Sequence, residues 1–521
     1  MDAFASPGSW APAVLPDGFV TPQGIGLLRA ANTGWSSDPG DTPANTSWYP
    51  RLLGDVELSQ SAVDALGIGG RVALGLAQID LWDGDGALAD LARYGTADGR
   101  KATIRIASAA APRASNTGAP LSATTVAFAG IVRSIDAAAP QRARLSLADA
   151  AERLATPLQS TRYGGTGGID GPTALAGRPK PVALGRAFNV QPVALGNIDL
   201  GDGSLPTYQT HWRAVVAHDA VRIRGVAQTK VTVAPAVGQY RDWPSSGVFQ
   251  IGSSPDGTVT ADVRGDTTPA YAGTTTAVLK RLVQSLGPGY ADADLDADAW
   301  TIADGDLPGD IGWDRGADEI TASDAAAQIL AASGAVIAGS RAGLLRLFDP
   351  LAIDTPQFVL QPAMILDLVP VALPATLRPI PRAVAVDWRR NWTPLSELAG
   401  SVAGTDRAQL GGQASGPARA DSAIITARVA QQRDLRFNGL YWAEADALAR
   451  ARKWRAWLEA GPRLFEATTD RFLGQIECGD IGRIAYPSWG LDDGVLGVVV
   501  GWREALAARR LTITFATLPE A

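Results

Sequence analysis

The chain has 521 residues, 46% of them hydrophobic and 19% charged, with a formal net charge of −7. That length holds three or four ordinary domains, and that balance excludes a disordered chain. The negative charge argues against a general nucleic-acid binder, which carries a basic stripe, and 57 glycines and 34 prolines without a fixed period exclude collagen and favour short strands joined by tight turns.

The N-terminus, MDAFASPGSWAPAVLPDGF, has an acid at position 2 and prolines through its apolar part. It lacks the charged and continuous apolar regions of a signal peptide, so synthesis in the cytoplasm is expected. No window approaches eighteen uninterrupted apolar residues, so no membrane span is expected. Up to about residue 45 the chain reads as loop. Strand-like alternation then recurs in Asp55–Ser61, Arg71–Trp82, Ala102–Ala107, Thr125–Ile135 and Arg142–Asp149, with a short helical run at Ala150–Leu154. This is a first β unit, barrel or sandwich, over residues 1–160.

Arg162–Val190 carries seven glycines and three prolines and runs into the apolar Pro181-Val-Ala-Leu. Such density implies tightly turned backbone, and the segment reads as a rigid domain junction. A second β unit follows over 161–272, with strands expected around Tyr208–His211, Ala214–Ala217, Ala220–Val226, Lys230–Val233, Gly247–Gly252 and Thr258–Asp266. Between 273 and 350 the period changes to helical. Ala277–Gly287 and Ser323–Gly334 are expected helices, the latter with Thr321 or Ser323 as N-cap and Gly334 as stop. Ala335–Ile337 and Leu344–Phe348 form an expected hairpin around Gly339-Ser-Arg-Ala-Gly, completing a small α+β insertion. The last unit, 351–521, returns to β structure, with strands at Arg382–Trp392 and Ala423–Val429. One long helix is expected at 442–459, with Leu448, Trp454, Trp457 and Leu458 on an apolar face and Arg450, Arg452, Lys453 and Arg455 mostly on another. Four closing strands, near 463–468, 480–486, 494–502 and 510–515, read as a compact barrel sheet. The fold class is mainly β.

No catalytic, cofactor-binding or metal-ligating residue is assigned. Cys478 is alone, so no intramolecular disulfide is possible, and His211 and His218 cannot by themselves build a zinc site. Asp292–Asp298 has carboxylates at alternate positions, but a calcium loop also needs glycine at position 6 and glutamate at position 12. Counting from Asp292 those positions hold Ala297 and Ala303, and from Asp294 they hold Ala299 and Gly305, so a solvated acidic loop is expected. Asp80–Asp85 and Asp304–Asp310 are further acidic clusters, and Asp83-Gly-Asp-Gly reads as a turn. Gly164-Gly-Thr-Gly-Gly is turn geometry, since no helix follows to aim its N-terminus at an anion. Arg264-Gly-Asp266 matches an integrin-binding tripeptide at the level of chance. No G-x-S-x-G, Walker A, H-E-x-x-H or C-x-x-C motif occurs. Arg162, Arg178 and Lys180 read as solvated charges, with contact to a neighbouring subunit as the alternative.

Tyr163-Gly-Gly-Thr-Gly-Gly through Leu175–Val190 resembles a stretch in tail proteins of long-tailed bacteriophages and prophages. Tyr208-Gln-Thr-His, Gly247–Gly265, Asp387-Trp-Arg-Arg-Asn-Trp and the closing Gly-Asp-Ile-Gly…Gly-Val-Val-Val-Gly-Trp follow in the same order, spanning roughly 160–515. The resemblance is to baseplate or tail-tip hub proteins of siphovirus-like, Mu-type prophage or gene-transfer-agent-like particles. It implies a homotrimer of tandem β-barrels like the tail-tube fold. It also implies a virion structural protein that joins tail tube, distal tail protein, tape-measure and fibre or central tip proteins, around a channel through which DNA passes. It carries over no active site and no cofactor, and with Cys478 alone the chain cannot hold the iron–sulfur cluster of some tip proteins. The alternatives are a glycan-degrading enzyme using an Asp pair such as Asp83 and Asp85, or a carbohydrate-binding module exposing tryptophans.

Overall fold

Alternation of apolar and polar residues turns one face of each N-terminal strand inward. Val56, Leu58, Ile79, Leu81, Leu145 and Leu147 accordingly meet in one core. The computed structural model describes residues 10–14, 19–21, 24–26, 28–32, 34–68, 70–86, 88, 98–106, 120–430 and 433–519. It is mainly β, with 42% strand and 20% helix. Among the described residues no helix is long and apolar enough to cross a membrane.

The strands form one continuous surface across the two ends of the chain. Leu52–Ser61 pairs antiparallel with Leu491–Ala505, Ser61 opposite Gly501 and Glu57 opposite Ala505. A 15-stranded sheet results. It runs from Ile365–Val371 through Leu464–Thr469, Arg510–Thr517, Leu491–Ala505, Leu52–Ser61, Leu76–Trp82 and Arg142–Ala148 to Thr125–Ala139 and Lys101–Ile106. None of the described sheets closes into a barrel. The closing strands do not curl on themselves as expected, because the N-terminal strand occupies the position where closure would occur.

The stretch 71–82, expected as one strand, breaks at Gly75, whose N–H turns inward to Asp149 Oδ2 at 2.6 Å. Leu76–Trp82 stays in the large sheet, while Arg71–Ala73 leaves it to pair in parallel with Val336–Ala338. Asp149 Oδ2 also accepts from Gln60 Nε2 (2.9 Å) and Gly339 N (3.2 Å), and Oδ1 accepts from Ala151 N (2.9 Å). Burial pushes this carboxyl up to about 7 against those donors. A Cβ on Gly339 would stand 2.3 Å from Asp149 Cγ, so the close approach requires glycine.

The expected hairpin is present as Val336–Gly339 and Leu345–Phe348. Its turn drives Arg341 into the large sheet. The guanidinium donates to Glu504 Oε2 (2.6 Å), Ala127 O (3.0 Å) and Ile476 O (2.9 Å), and lies 3.9 Å from the Trp502 ring centroid. The side chains of Arg341 and Glu504 are 3% and 0% exposed. Further along the hairpin Arg346 pairs with Glu477, Asp480 and Asp296. Asp349 then accepts from Arg450 (2.6 and 2.9 Å) and Lys453 (2.7 Å).

The helix expected at 442–459 spans Glu444–Glu459 and lies against the sheet of Ala414–Asp421, Ala383–Arg390 and Asp434–Tyr441. Arg450, expected mostly on a face apart from Trp454, Trp457 and Leu458, is buried with them. It is held there because Asp349 meets it from the hairpin, and burial alone would not leave a bare charge there. The helix Ala322–Ser333 is capped as read, by Thr321 at its start and left-handed Gly334 at its end. Three further expectations fail. Asp292–Asp298, expected as a solvated loop, leads into a helix at Ala297–Asp306. Asp296 caps that helix, and the buried Trp300 anchors it by donating to Leu345 O at 2.8 Å. Ala423–Arg428, expected as a strand, is a helical turn, because Ser422 Oγ accepts from Ile425 N (3.1 Å) and starts it. Ala214–Val216 likewise forms no strand.

Replacing Arg341 with Ala strands Glu504 without its cation. The expected result is a loss of about 3–5 kcal/mol in chemical denaturation; a loss under about 1 kcal/mol would show that the hairpin tip bears no such role.

Candidate functional site: an arginine–tryptophan joint

The run Ala383-Val-Ala-Val is apolar throughout because the strand Ala383–Arg390 is central, flanked by Ala414–Asp421 antiparallel and Asp434–Tyr441 parallel. The polar end of the motif, Asp387-Trp-Arg-Arg-Asn-Trp, then crosses to the strand Val182–Val190, where Phe188 bridges to Asn391. That strand also serves two neighbours. Val182–Gly185 pairs with Gly312–Gly316, and Arg186–Val190 with Ala261–Arg264. The switch occurs at Gly185, where φ is +63° and the Ile311 carbonyl oxygen would lie 2.0 Å from a Cβ.

Asn391 is 2% exposed and holds the crossing together. Its Nδ2 donates to the carbonyls of Gln409 (3.1 Å), Leu410 (2.9 Å) and Gly412 (2.8 Å). Its Oδ1 accepts from Asn189 Nδ2 (2.8 Å) and Thr393 N (3.0 Å). Asn189 adopts φ +55°, and its backbone N–H donates to Asp262 Oδ1 at 2.9 Å. Asp262 takes Arg222 in a two-pronged pair at 2.7 Å. Asp387 accepts from Arg436 at 2.8 Å.

Around this polar hinge, arginines lie on aromatic rings. Arg186 is 4.0 Å and Arg389 4.8 Å from the Trp442 centroid, Arg389 is 4.9 Å from Trp388, and Arg390 is 4.5 Å from Trp392. Phe188 meets Trp442 edge-on at 6.5 Å. Arg186 pairs with Asp219 at 3.2 Å. Arg389 and Arg390 have no ion pair or side-chain hydrogen bond to any described residue, and Arg389 sits at φ +47°. Burial lowers the pKa of Arg389; Asp262 opposes that effect, and Arg186 and Arg222 reinforce it.

The groups weighed in the sequence are committed elsewhere. Asp85 pairs with Arg51, and Asp83 Oδ1 accepts from Leu88 N (2.7 Å), so both carboxylates secure their own loop. Asp292 pairs with Lys280 and Asp294 with Arg153. The Arg264-Gly-Asp266 tripeptide is not displayed, since Asp266 is 1% exposed and held by Arg213 and Arg281. In the Gly164–Gly168 loop the anion is the protein's own. Asp170 accepts from Gly164 N (3.1 Å) and Thr166 Oγ1 (2.9 Å) and pairs with Lys180 (3.2 Å), and these contacts, the Gly164 N–H first, hold it down to about 2. Arg162 pairs with Glu319 at 2.8 Å, while Arg178 is exposed. Cys478 is buried, and burial pushes its thiol up. His211 Nδ1 accepts from Ala183 N (3.1 Å), and burial pushes the imidazole down to about 3.

One constellation escaped the sequence. His218 bridges Thr210 Oγ1 and Asp242 Oδ1, each at 2.7 Å, and Lys230 meets Asp242 at 2.8 Å. Hydroxyl, imidazole and carboxylate stand in the order of a nucleophilic triad. Thr210 and His218 are 1% and 0% exposed, however, so the hydroxyl has no route to a substrate. The network ties the strands Ala217–Ile223 and Gln239–Trp243 together. Its members are scattered and irregularly spaced, so no sequence signal marks them. The Trp/Arg alternation at 387–392 was the signal available for the joint, but Trp442 and Arg186 reach it only through the fold. Among the described residues no group of three or more His, Cys, Asp or Glu side chains is placed to hold a metal ion.

No protein-family model and no curated protein matches the chain. Solved structures do. A 43 kDa tail protein of prophage MuSo2 from Shewanella oneidensis is 9% identical, with 97% of this chain and 96% of that chain covered at a TM-score of 0.40. A tail protein from Neisseria meningitidis MC58 is 9% identical, with 98% and 97% covered at 0.40. A chain of a native gene transfer agent virion is 10% identical, with 66% and 85% covered at 0.42. The structural neighbours are phage-tail proteins. A TM-score of 0.40 reflects shared pieces of architecture, short of a common fold.

Asn391→Ala would remove the donor shared by the carbonyls of Gln409, Leu410 and Gly412 and one of the two acceptors of the Asn189 amide. Thermal or denaturant unfolding is expected to show a loss of about 2–4 kcal/mol, and an unchanged midpoint would remove Asn391 from its role as the hinge.

Proposed function

We propose that this chain is a structural protein of a phage-like virion, a hub at the tail tip or baseplate. One observation carries the reading: the segments that bear the resemblance are joints of the molecule. Gly164–Gly168 is a loop sealed by Asp170, Tyr208–His211 leads into the buried His218 network, and Asp387–Trp392 is the crossing between two sheets. Segments that bind substrate leave their polar groups free, whereas most of these are paired within the chain, Asp170 with Lys180, His218 with Asp242 and Asp387 with Arg436.

In this reading the units 1–160, 161–272, 273–350 and 351–521 act as modules of one rigid body, the β units standing where tail-tube-like barrels belong. The chain assembles as a homotrimer and contacts tail tube, distal tail protein, tape-measure and fibre or central tip proteins. It lines a channel for DNA without sequence-specific binding and breaks no bonds of its own. Net negative charge suits such a wall, because a lumen that grips phosphates would slow passage.

The direct test is a cryo-electron-microscopy map of the assembled particle. Three copies around the channel at the far end of the tail are expected. Density for this polypeptide elsewhere, or hydrolysis of host polysaccharide abolished by Asp83→Asn or Asp85→Asn, would overturn the reading.

A further inference from the structure

The surface around Trp442 holds unpaired charge of both signs. On one side stands Arg389, with no carboxylate partner and with Arg186 sharing its indole. On the other stand Asp310 and Asp446. The Trp442 N–H donates to the Asp310 carbonyl at 2.7 Å, so Asp310 is fixed beside the ring. Asp446 lies in the first turn of the long helix, against Gly309, where an added Cβ would meet its Oδ2 at 3.0 Å. Neither acid has an ion pair with a described residue, and Asp310 is exposed. Burial raises the Asp446 carboxyl pKa, and Asp310 raises it further, so these two acids face each other as like charges. Tyr271, 38% exposed, borders the same surface: its ring and Asp310 Oδ1 both crowd Gly273, at 2.8 and 2.6 Å from a Cβ built there.

Arg389, half-buried, lacks an ion-pair partner that would offset its lost hydration, and Asp310 and Asp446 repel each other. In the ion pairs of the second unit this chain places Arg beside Asp, as in Arg213–Asp266, Arg222–Asp262 and Arg241–Asp202. Around Trp442 only Arg186 is so placed, with Asp219, while Arg389, Asp310 and Asp446 have no ion pair with a described residue. A nucleic acid would satisfy Arg389 but be repelled by Asp310 and Asp446. A second copy of the same chain supplies both complements at once, with tryptophan and arginine at the centre, as protein interfaces favour.

We propose that the Arg389–Trp442–Asp310 surface is a contact between copies of this chain, in which Arg389 of one copy receives the carboxylate of Asp310 from another. The contact rests on the hub reading above and gives it a specific surface. The bipolar patch is complete only when a second copy is seated, and Asp446 is then relieved of its like-charged neighbour.

Mass photometry and sedimentation velocity on the full-length chain at low salt test this. The unaltered protein is expected to assemble, and Arg389→Glu and Asp310→Lys are each expected to weaken assembly about 100-fold or more. Mixing the two variants is expected to restore part of it, because a contact between unlike variants regains opposite charges at 389 and 310, while a ring of three keeps one contact between like variants. Circular dichroism and melting check that both variants fold, and Arg389→Gln, which keeps the side-chain length, is expected to give an intermediate loss. Chains that stay monomeric at all concentrations, variants that assemble like the parent, or a mixture that stays apart would overturn the proposal. Trimers indifferent to both variants would overturn this contact and leave the hub reading standing. Salt-sensitive assembly into another number of copies, lost in the variants and restored in the mixture, would keep the contact and end the three-copy reading.

Discussion

The Arg341–Glu504 pair is the constraint on which the architecture depends. Both side chains are out of water, and both Glu504 oxygens are used, one by Arg341 and one by Gly474 N at 2.7 Å. An ion pair of this kind is a poor source of net stability, since desolvation offsets most of the attraction. Its effect is on specificity. Glu504 lies on the strand that joins the last third of the chain to the first, and Arg341 is at the tip of the hairpin from the α+β insertion. The buried carboxylate tolerates that cation alone, so the hairpin has one way to seat.

From that clamp the remaining organisation follows. Once the hairpin is seated, Gly339 reaches Asp149, which fixes the break at Gly75 and sends Arg71–Ala73 to pair with the hairpin. At its base Asp349 receives Arg450 and Lys453 and so sets the long helix on its sheet. The helix carries Trp442 at its entrance, and Trp442 takes Arg186 from the strand after the glycine-rich junction. Insertion, end-to-end sheet and second unit are thus linked by buried polar contacts that each permit one partner. A protein built for turnover keeps some of its charged groups poised and accessible. Here many of them are occupied in holding modules together, as in Arg341–Glu504, Arg450–Asp349 and Arg222–Asp262.

The sequence made local order legible and left long-range pairing hidden. Thr321 and Gly334 marked the ends of a helix because a cap and a left-handed stop are properties of neighbouring residues. The same holds for the hairpin around Gly339–Gly343 and for the alternating N-terminal strands. Nothing local announces that Leu52–Ser61 pairs with Leu491–Ala505, so a compact terminal barrel was the natural expectation and an open, shared sheet the outcome. Arg450 was set apart from the apolar face because its partner, Asp349, lies in another unit. Ile424 and Ile425 favoured a strand on propensity until the Ser422 cap decided otherwise. At the joint, the Trp/Arg alternation of 387–392 was visible in the sequence. That Asn391 would hold three carbonyls, and Arg389 remain unpaired, required the second sheet.

Amide hydrogen exchange on the intact chain tests the central claim most directly, that distant segments form one rigid body through the hairpin clamp. The account predicts that the amides of Leu52–Ser61, Val336–Gly339, Leu345–Phe348 and Leu491–Ala505 exchange together, and only through global unfolding. A hairpin that opens and exchanges far faster than the sheet it enters would contradict it.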